Sequence, residues 1–167
     1  MALRFEELIE RHHDEIFAYV WRLLGVARRA DGAVDAEDLV QDVFLRAYEN
    51  FLALRPGSNH RAWLYKIATN RTFTALTRAK HRRKKAYALR QELAPTALAP
   101  DHEHGGQHVV HCLEALPVKQ KASITLRYLQ DLDYPEIARI LDCSEESARA
   151  NVSQAIRRLR VLLKEER

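Results

Sequence analysis

The sequence predicts an all-α protein: two small helical domains joined by a flexible linker. Three observations carry that reading. Apolar residues recur at spacings of three and four along most of the chain, and strand-like alternation is nearly absent. Cap and turn residues cut the pattern into separate helices. Between residues 91 and 108 the pattern lapses into Pro95, Pro100, Gly105, Gly106, scattered Ala and three His, a linker composition.

The first helix is marked by Phe5, Leu8, Ile9, Ile16, Tyr19, Val20, Leu23 and Leu24, and it stops near Gly25. A polar loop from Arg28 to Val34 leads to Asp35, a good N-cap, with Glu37 and Asp38 suited to the positive end of the next helix. That helix places Leu39, Val40, Val43, Phe44, Ala47, Tyr48 and Phe51 along one apolar stripe. Pro56-Gly57-Ser58 is a turn signal. The third helix starts around His60, carries Ala62, Trp63, Leu64, Ile67, Ala68, Phe73, Ala75 and Leu76, and loses its apolar positions in the basic run Lys80 to Lys85.

Beyond the linker, helical pattern resumes at Val109 with Val110, Leu113 and Leu116, and pauses at Pro117. Ile124, Leu126 and Leu129 mark a further helix, and Gln130 to Tyr134 is a polar break. Pro135 suits a first helical turn. It opens a short helix with Ile137, Ala138, Ile140 and Leu141, followed by the turn Asp142-Cys143-Ser144 with Ser144 as the next N-cap. The last helix runs from Glu145 to about Lys164 and turns Ala148, Val152, Ala155, Ile156, Leu159 and Leu162 inward. The domains expected from this pass are 1–90 and 109–167, with 91–108 between them.

Charge is divided unevenly. The 167 residues carry a net charge of +4, yet residues 1–49 hold six Lys/Arg against eleven Asp/Glu, and residues 50–91 hold eleven Lys/Arg and no acid. An acid-free basic block of this length points to a polyanion, nucleic acid first. Other classes fall away. No apolar run is long enough to span a bilayer, and the acidic, amphipathic start is unlike a signal peptide. Cys112 and Cys143 form no CxxC pair, which fits a reducing cytoplasm. Phosphate-cradling and nucleophile motifs are missing and only five Gly are available for loops, so no enzyme, no catalytic residue and no cofactor is expected.

Two segments have the chemistry of DNA recognition. Pro135–Leu141, a three-residue turn and a second helix from Glu145 have the dimensions of a helix-turn-helix, whose second helix enters the major groove. Ser147, Arg149, Asn151, Ser153 and Gln154 are positions from which bases or phosphates can be read, with Arg157, Arg158 and Arg160 beside the backbone. A plain helical hairpin with a solvated polar face has the same pattern. The basic third helix interleaves cations with aromatics and Asn: Trp63, Tyr65, Lys66, Asn70, Arg71, Phe73, Arg78. Such a mixture suits unpaired bases, which stack on aromatic faces. Trp63 and Phe73 also lie on the apolar stripe, as core residues would, and Tyr65 is open between the two roles. The second helix has a polar face of Glu37, Asp38, Gln41, Asp42 and Glu49, either solvated or a docking face. His102, His104, His108, His111 and Cys112 have metal-binding side chains, but their irregular spacing favours a solvated linker, and no metal site is assigned.

Residues 35–51, 61–83 and 113–163 together resemble the two conserved regions of bacterial sigma-70 family initiation factors, and more closely the extracytoplasmic-function (ECF) subgroup. The resemblance implies a region 2-like bundle, a region 4-like helix-turn-helix and the function of a promoter-specificity subunit of RNA polymerase. It assigns Asp38, Leu39, Gln41, Asp42, Phe44 and Leu45 to docking on the clamp helices of core polymerase, the flap being the other expected contact. Capture of the melted −10 element falls to Trp63, Lys66, Asn70, Arg71, Thr74 and Arg78, with a loop of about Leu54 to His60 that includes Asn59. Reading of the −35 duplex falls to Ser144, Ser147, Arg149, Asn151, Ser153, Gln154 and Arg157. Gln154, Asn151 and Thr74 depart from the residues more usual in the family. The 18-residue linker spans at most ~60 Å when extended, most of two duplex turns at ~34–36 Å each, and in the family it lies in the polymerase channel. An anti-sigma factor is the further partner implied. The alternative from another class is a stand-alone helix-turn-helix regulator of duplex DNA.

Overall fold

The computed structural model describes residues 4–28, 33–55, 57–91 and 107–165. Every regular element among them is helical: α1 (Phe5–Leu24), a 3-10 turn (Gly25–Arg28), α2 (Ala36–Phe51), α3 (His60–Gln91), α4 (Gln107–Glu114), α5 (Val118–Tyr128), α6 (Tyr134–Leu141) and α7 (Glu145–Glu165). Most of the linker (92–106), with His102 and His104, lies outside the described residues, as does Pro56 of the expected turn.

The local chemistry sets these boundaries. The Asp35 side chain caps α2, accepting from the backbone N–H groups of Glu37 (2.7 Å) and Asp38 (3.2 Å). Asn59 opens α3, its Oδ1 accepting from the Ala62 N–H at 2.9 Å. Asp133 and Glu136 form a reciprocal capping box at α6, with Pro135 in the first turn. Asp142 ends α6 in the left-handed region at φ 49°, a conformation Asp tolerates through its short polar side chain. The Ser144 hydroxyl then accepts from the Ser147 N–H at 3.1 Å to start α7. Helix α3 does not stop where its apolar partners thin: it continues through Lys80–Lys85 as an exposed helix, for a total length of about 48 Å at ~1.5 Å per residue.

Helices α1, α2 and α3 pack pairwise around Leu8, Ile16, Tyr19, Val20, Leu23, Val40, Val43, Ala47, Leu64 and Ala68. The buried Tyr19 hydroxyl is satisfied by Thr69 Oγ1 at 2.8 Å. In the second half α5, α6 and α7 pack together, with a smaller cluster of Leu116, Ile124 and Ala155 beneath α4. The two halves are not separate bodies. Helix α6 lies against α3 and α5 against α1, and Ala122, Leu126, Leu132, Ile137, Ala138, Ile140 and Ala148 belong to the same buried cluster as the first three helices. Ala62 of α3 and Ala138 of α6 both line the cavity between these helices.

Several stripe positions turn out at the rim. Tyr48, Leu129 and Val110 are exposed; Tyr48 keeps an edge-on contact with Phe5, ring centroids 5.3 Å apart. They lie where the apolar arc of each helix is wider than the face its neighbours cover.

Gly25 closes α1 at φ 49°, ψ −129°, in a region essentially reserved for glycine. A Cβ there would meet Lys121 Nζ at 3.0 Å and Glu114 Cγ at 3.3 Å across the junction of the halves. Gly25→Ala is expected to cost ~1–3 kcal/mol of folding stability, measured as a lowered urea midpoint.

Candidate nucleic-acid interface

Lys66, Asn70, Thr74 and Arg78 recur every four residues on α3 and form one stripe along the helix. Asn70, Thr74 and Arg78 are exposed and Lys66 half-buried. The Thr74 hydroxyl donates back to the Asn70 backbone carbonyl at 2.9 Å. Trp63 is partly buried at the upstream end of this stripe and, with Asn59, Ala62 and Lys66, lines a cavity of about 1100 Å³. Its opposite wall comes from α6 and the turn after it: Pro135, Ala138, Arg139, Asp142, Cys143 and Ser144.

Two residues read as possible DNA contacts face elsewhere. Tyr65 is fully buried, its ring edge-on to Tyr19 with centroids 5.0 Å apart and its hydroxyl donating to Glu15 at 3.0 Å; it is a core residue. Arg71 stands off the stripe, on the side facing α2, where its Nε donates to the Asp42 carboxylate. Asp42, assigned to docking, and Arg71, assigned to DNA, thus hold each other.

On α2 the docking set divides. Asp38, Gln41 and Leu45 are exposed, Asp42 is half-buried, and Leu39 and Phe44 are buried in the core. The last two brace the helix from below. Periodicity puts Tyr48 on the inward stripe and does not single out Leu52; the two are 64% and 96% exposed, and together with Leu45 they make the outer end of α2 apolar.

Helix α7 presents two stripes beside its buried side. Arg149, Ser153 and Arg157 lie at i, i+4 and i+8, and all three are exposed. Ser147, Asn151 and Gln154 lie at i, i+4 and i+7; Asn151 is partly buried, and Gln154 Oε1 accepts from the Gln120 amide at 2.8 Å. The Ser144 and Ser147 hydroxyls bond to each other at 2.9 Å. The Tyr134 ring lies between two guanidinium groups, Arg149 at 4.4 Å and Arg127 at 5.1 Å, a cation–π contact that orients Arg149. His111 is exposed and Cys112 buried, so these two do not converge; no group of three potential metal ligands occurs among the described residues.

The halves are tied by polar contacts that the sequence did not signal. The Arg61 guanidinium donates from Nε and Nη2 to the Glu15 carboxylate (2.8 Å at the shortest), and to the carbonyl and side-chain oxygens of Gln130, both at 3.1 Å. Asn59 Nδ2 donates to Glu136 Oε1 at 3.0 Å, and Lys66 Nζ to Asp142 Oδ1 at 2.6 Å. At the other end Arg28, stacked 3.4 Å above the Trp21 ring, pairs with Glu114 at 3.3 Å. Lys121, close by, has its pKa pushed down by burial against the opposing pull of Glu114.

Comparison with known proteins follows this geometry closely. The Sigma-70 region 2 family matches residues 8–82 and the Sigma-70 region 4 family residues 107–159. The ECF RNA polymerase sigma-E factor of Escherichia coli K12 is 30% identical over 154 residues, covering 84% of this chain and 80% of that protein. The chain belongs to the sigma-70 family, ECF subgroup. It is an RNA polymerase sigma factor. The sigma factor CarQ of Myxococcus xanthus is 29% identical over 164 residues, covering 96% of this chain and 90% of that protein. Among solved structures, the sigma factor RpoE of Bartonella quintana, crystallised with the anti-sigma factor NepR, covers 98% of each chain at a TM-score of 0.72 and 24% identity. That likeness supports the fold of this sigma factor. Membership favours an initiation factor over a stand-alone regulator, and no described helix is long and apolar enough to cross a membrane.

Within this sigma factor the Glu15 cluster is the electrostatic centre of the junction. Burial would raise the Glu15 pKa, but hydrogen bonds from Arg61 and His12, the Arg61 charge and the Tyr65 hydroxyl outweigh it and hold the carboxyl below its usual range. A carboxyl with a lowered folded pKa stabilises the fold above its unfolded pKa, ~4.3 for Glu, and that contribution fades as pH falls through the folded value. Glu15→Gln is therefore expected to be less stable than the native protein at neutral pH, the two denaturation midpoints converging below about pH 4.

Proposed function

We propose that this sigma factor divides its work among three surfaces. Residues 1–90 dock on core polymerase and hold the melted −10 element, residues 109–167 read the −35 duplex, and 91–108 is the linker between them. The observation that carries this division is the continuous stripe Lys66–Asn70–Thr74–Arg78 on an acid-free basic helix, in the same chain as an outward-facing Arg149–Ser153–Arg157 stripe on a helix-turn-helix.

Docking falls to the exposed side of α2: Asp38, Gln41 and Leu45, continued by Tyr48 and Leu52, with Leu39 and Phe44 supporting the helix. Its partner is the clamp helices; the flap takes the second domain. The −10 set is Asn59, Trp63, Lys66, Asn70, Thr74 and Arg78. A flat aromatic at Trp63 and amide groups at Asn59 and Asn70 suit unpaired bases, and the cations suit the phosphates. Arg71 acts through Asp42, joining the docking helix to the DNA-holding helix. Ser144, Ser147, Arg149, Asn151, Ser153, Gln154 and Arg157 form the −35 face. Strand opening then needs no bond chemistry in this chain, because differential affinity for the melted state drives it. The protein acts in the cytoplasm as a non-catalytic factor without a cofactor, and an anti-sigma factor is its regulatory partner, as for the Bartonella quintana RpoE crystallised with NepR.

Run-off transcription with core polymerase on a pool of random promoters tests the reading: product is expected only with both proteins present, and its sequence yields both promoter elements. On a promoter so obtained, Lys66→Glu is expected to remove most thymine reactivity to permanganate around the −10 element while leaving core binding intact; normal melting would overturn the −10 assignment. Arg149→Ala is expected to weaken −35 discrimination by ~1–3 kcal/mol, as for loss of a bidentate base contact, read from competition between promoters with altered −35 sequence.

A further inference from the structure

A second cavity, of about 380 Å³, lies where the end of α1 and the 3-10 turn meet α3 and the start of α5. Its size is within the range of small-molecule sites. The walls are aliphatic, with Leu23, Leu24, Leu76, Ala79 and Val118 around the space, and among the described residues no aromatic ring and no carboxylate lines it. Three cations share these walls. Lys80 and Arg83 are exposed, whereas Lys121 is only 6% exposed. Lys121 Nζ has no hydrogen-bond or ion-pair partner among the described residues. Glu114 attracts it from farther off but is itself paired with Arg28 at 3.3 Å. Burying an ammonium without a partner is unfavourable, and such a group calls for a water, an ion or a ligand.

We propose that this cavity binds an aliphatic carboxylate: a medium-length acyl chain that lies along the apolar wall, its head group paired with Lys121. The aliphatic wall fits a chain with no ring to stack and no polar atom along its length. Three cations without a carboxylate favour an anionic head, and a neutral or cationic ligand would leave Lys121 unpaired. A bare inorganic anion would meet the cations and leave the apolar wall empty. The wall is built from both matched regions, Leu23, Leu24, Leu76 and Ala79 from one and Val118 and Lys121 from the other. One ligand therefore touches both, and its binding adds to the folding stability of the whole chain. None of the lining residues belongs to the docking, −10 or −35 sets, so the site stands independently of those assignments.

The test titrates the full chain with decanoate, followed by isothermal calorimetry and by thermal melts. One saturable site per chain is expected, with a melting midpoint that rises as decanoate is added. Hexanoate, the shorter homologue, is expected to bind more weakly by about fourfold per methylene removed. Decan-1-ol has the chain without the charge and acetate the charge without the chain; each is expected to bind at least about tenfold more weakly than decanoate. Lys121→Met keeps the side-chain length, removes the charge and is expected to weaken decanoate at least about tenfold. Lys80→Gln with Arg83→Gln changes two exposed positions of the cavity and is expected to weaken it by about twofold or more. Lys84→Gln with Lys85→Gln, exposed on the same helix but outside the cavity, is the charge control and is expected to bind as the native protein does. Absence of saturable decanoate binding overturns the site. Equal binding of decan-1-ol, or undiminished binding by Lys121→Met, overturns the carboxylate pairing, and equal binding of acetate overturns the acyl chain. Should Lys121→Met not fold, a Lys80 and Arg83 variant that binds no more weakly than the charge control overturns the proposal.

Discussion

The Arg61 guanidinium is where the structure is joined. It leaves the first turn of α3 and meets the Glu15 carboxylate of α1, lies over the Tyr65 ring at 5.3 Å, and donates to the backbone and side-chain oxygens of Gln130 between α5 and α6. Three segments far apart in sequence therefore share one planar group with fixed donor directions. A Lys in its place would supply charge without the fork. Because Glu15 also accepts from Tyr65 and pairs with His12, the cluster braces the region 2 helices from within. Its remaining donors set the side on which the helix-turn-helix half is received.

That junction explains why the recognition surfaces look as they do. The upstream end of the α3 stripe is covered and its downstream end is open, so Lys66 is partnered while Asn70, Thr74 and Arg78 face outward. On α7 the Arg149 stripe is exposed, with Tyr134 and Glu145 against the first guanidinium. Both halves contribute to one buried apolar cluster, Leu64 and Ala68 from α3 and Ile137 and Ile140 from α6 among them. The polar contacts around it range from the exposed Lys66–Asp142 pair to the largely buried Arg28–Glu114 pair.

Acidic residues are kept out of the stretch from 50 to 91 entirely, which leaves α3 without internal ion-pair partners. Three of its cations find partners on other elements: Arg61 on α1, Arg71 on α2, Lys66 after α6. The same absence that equips the helix for a polyanion makes it dependent on neighbouring carboxylates when no polyanion is present.

Much of the architecture was legible in the sequence because it is decided locally. Spacing at three and four, Asp35 and Ser144 as caps, Pro135 in a first turn and Gly25 as a stop all act within one helical turn, and the boundaries follow them closely. The helix-turn-helix dimensions and the family resemblance came from the same local order, as did the placement of Lys66, Asn70, Thr74 and Arg78 on one helix. Tertiary structure alone decided which side chains are free. Tyr65 is core because Glu15 and Tyr19 stand opposite it, Leu39 and Phe44 are buried because α1 and α3 close over them, and Arg71 turns to Asp42 because α2 runs alongside. The pairing of Asn59 with Glu136 and of Lys66 with Asp142 joins residues 77 and 76 positions apart. No periodicity reports contacts at that separation, since they depend on how two amphipathic helices settle against each other and not on the pattern within either.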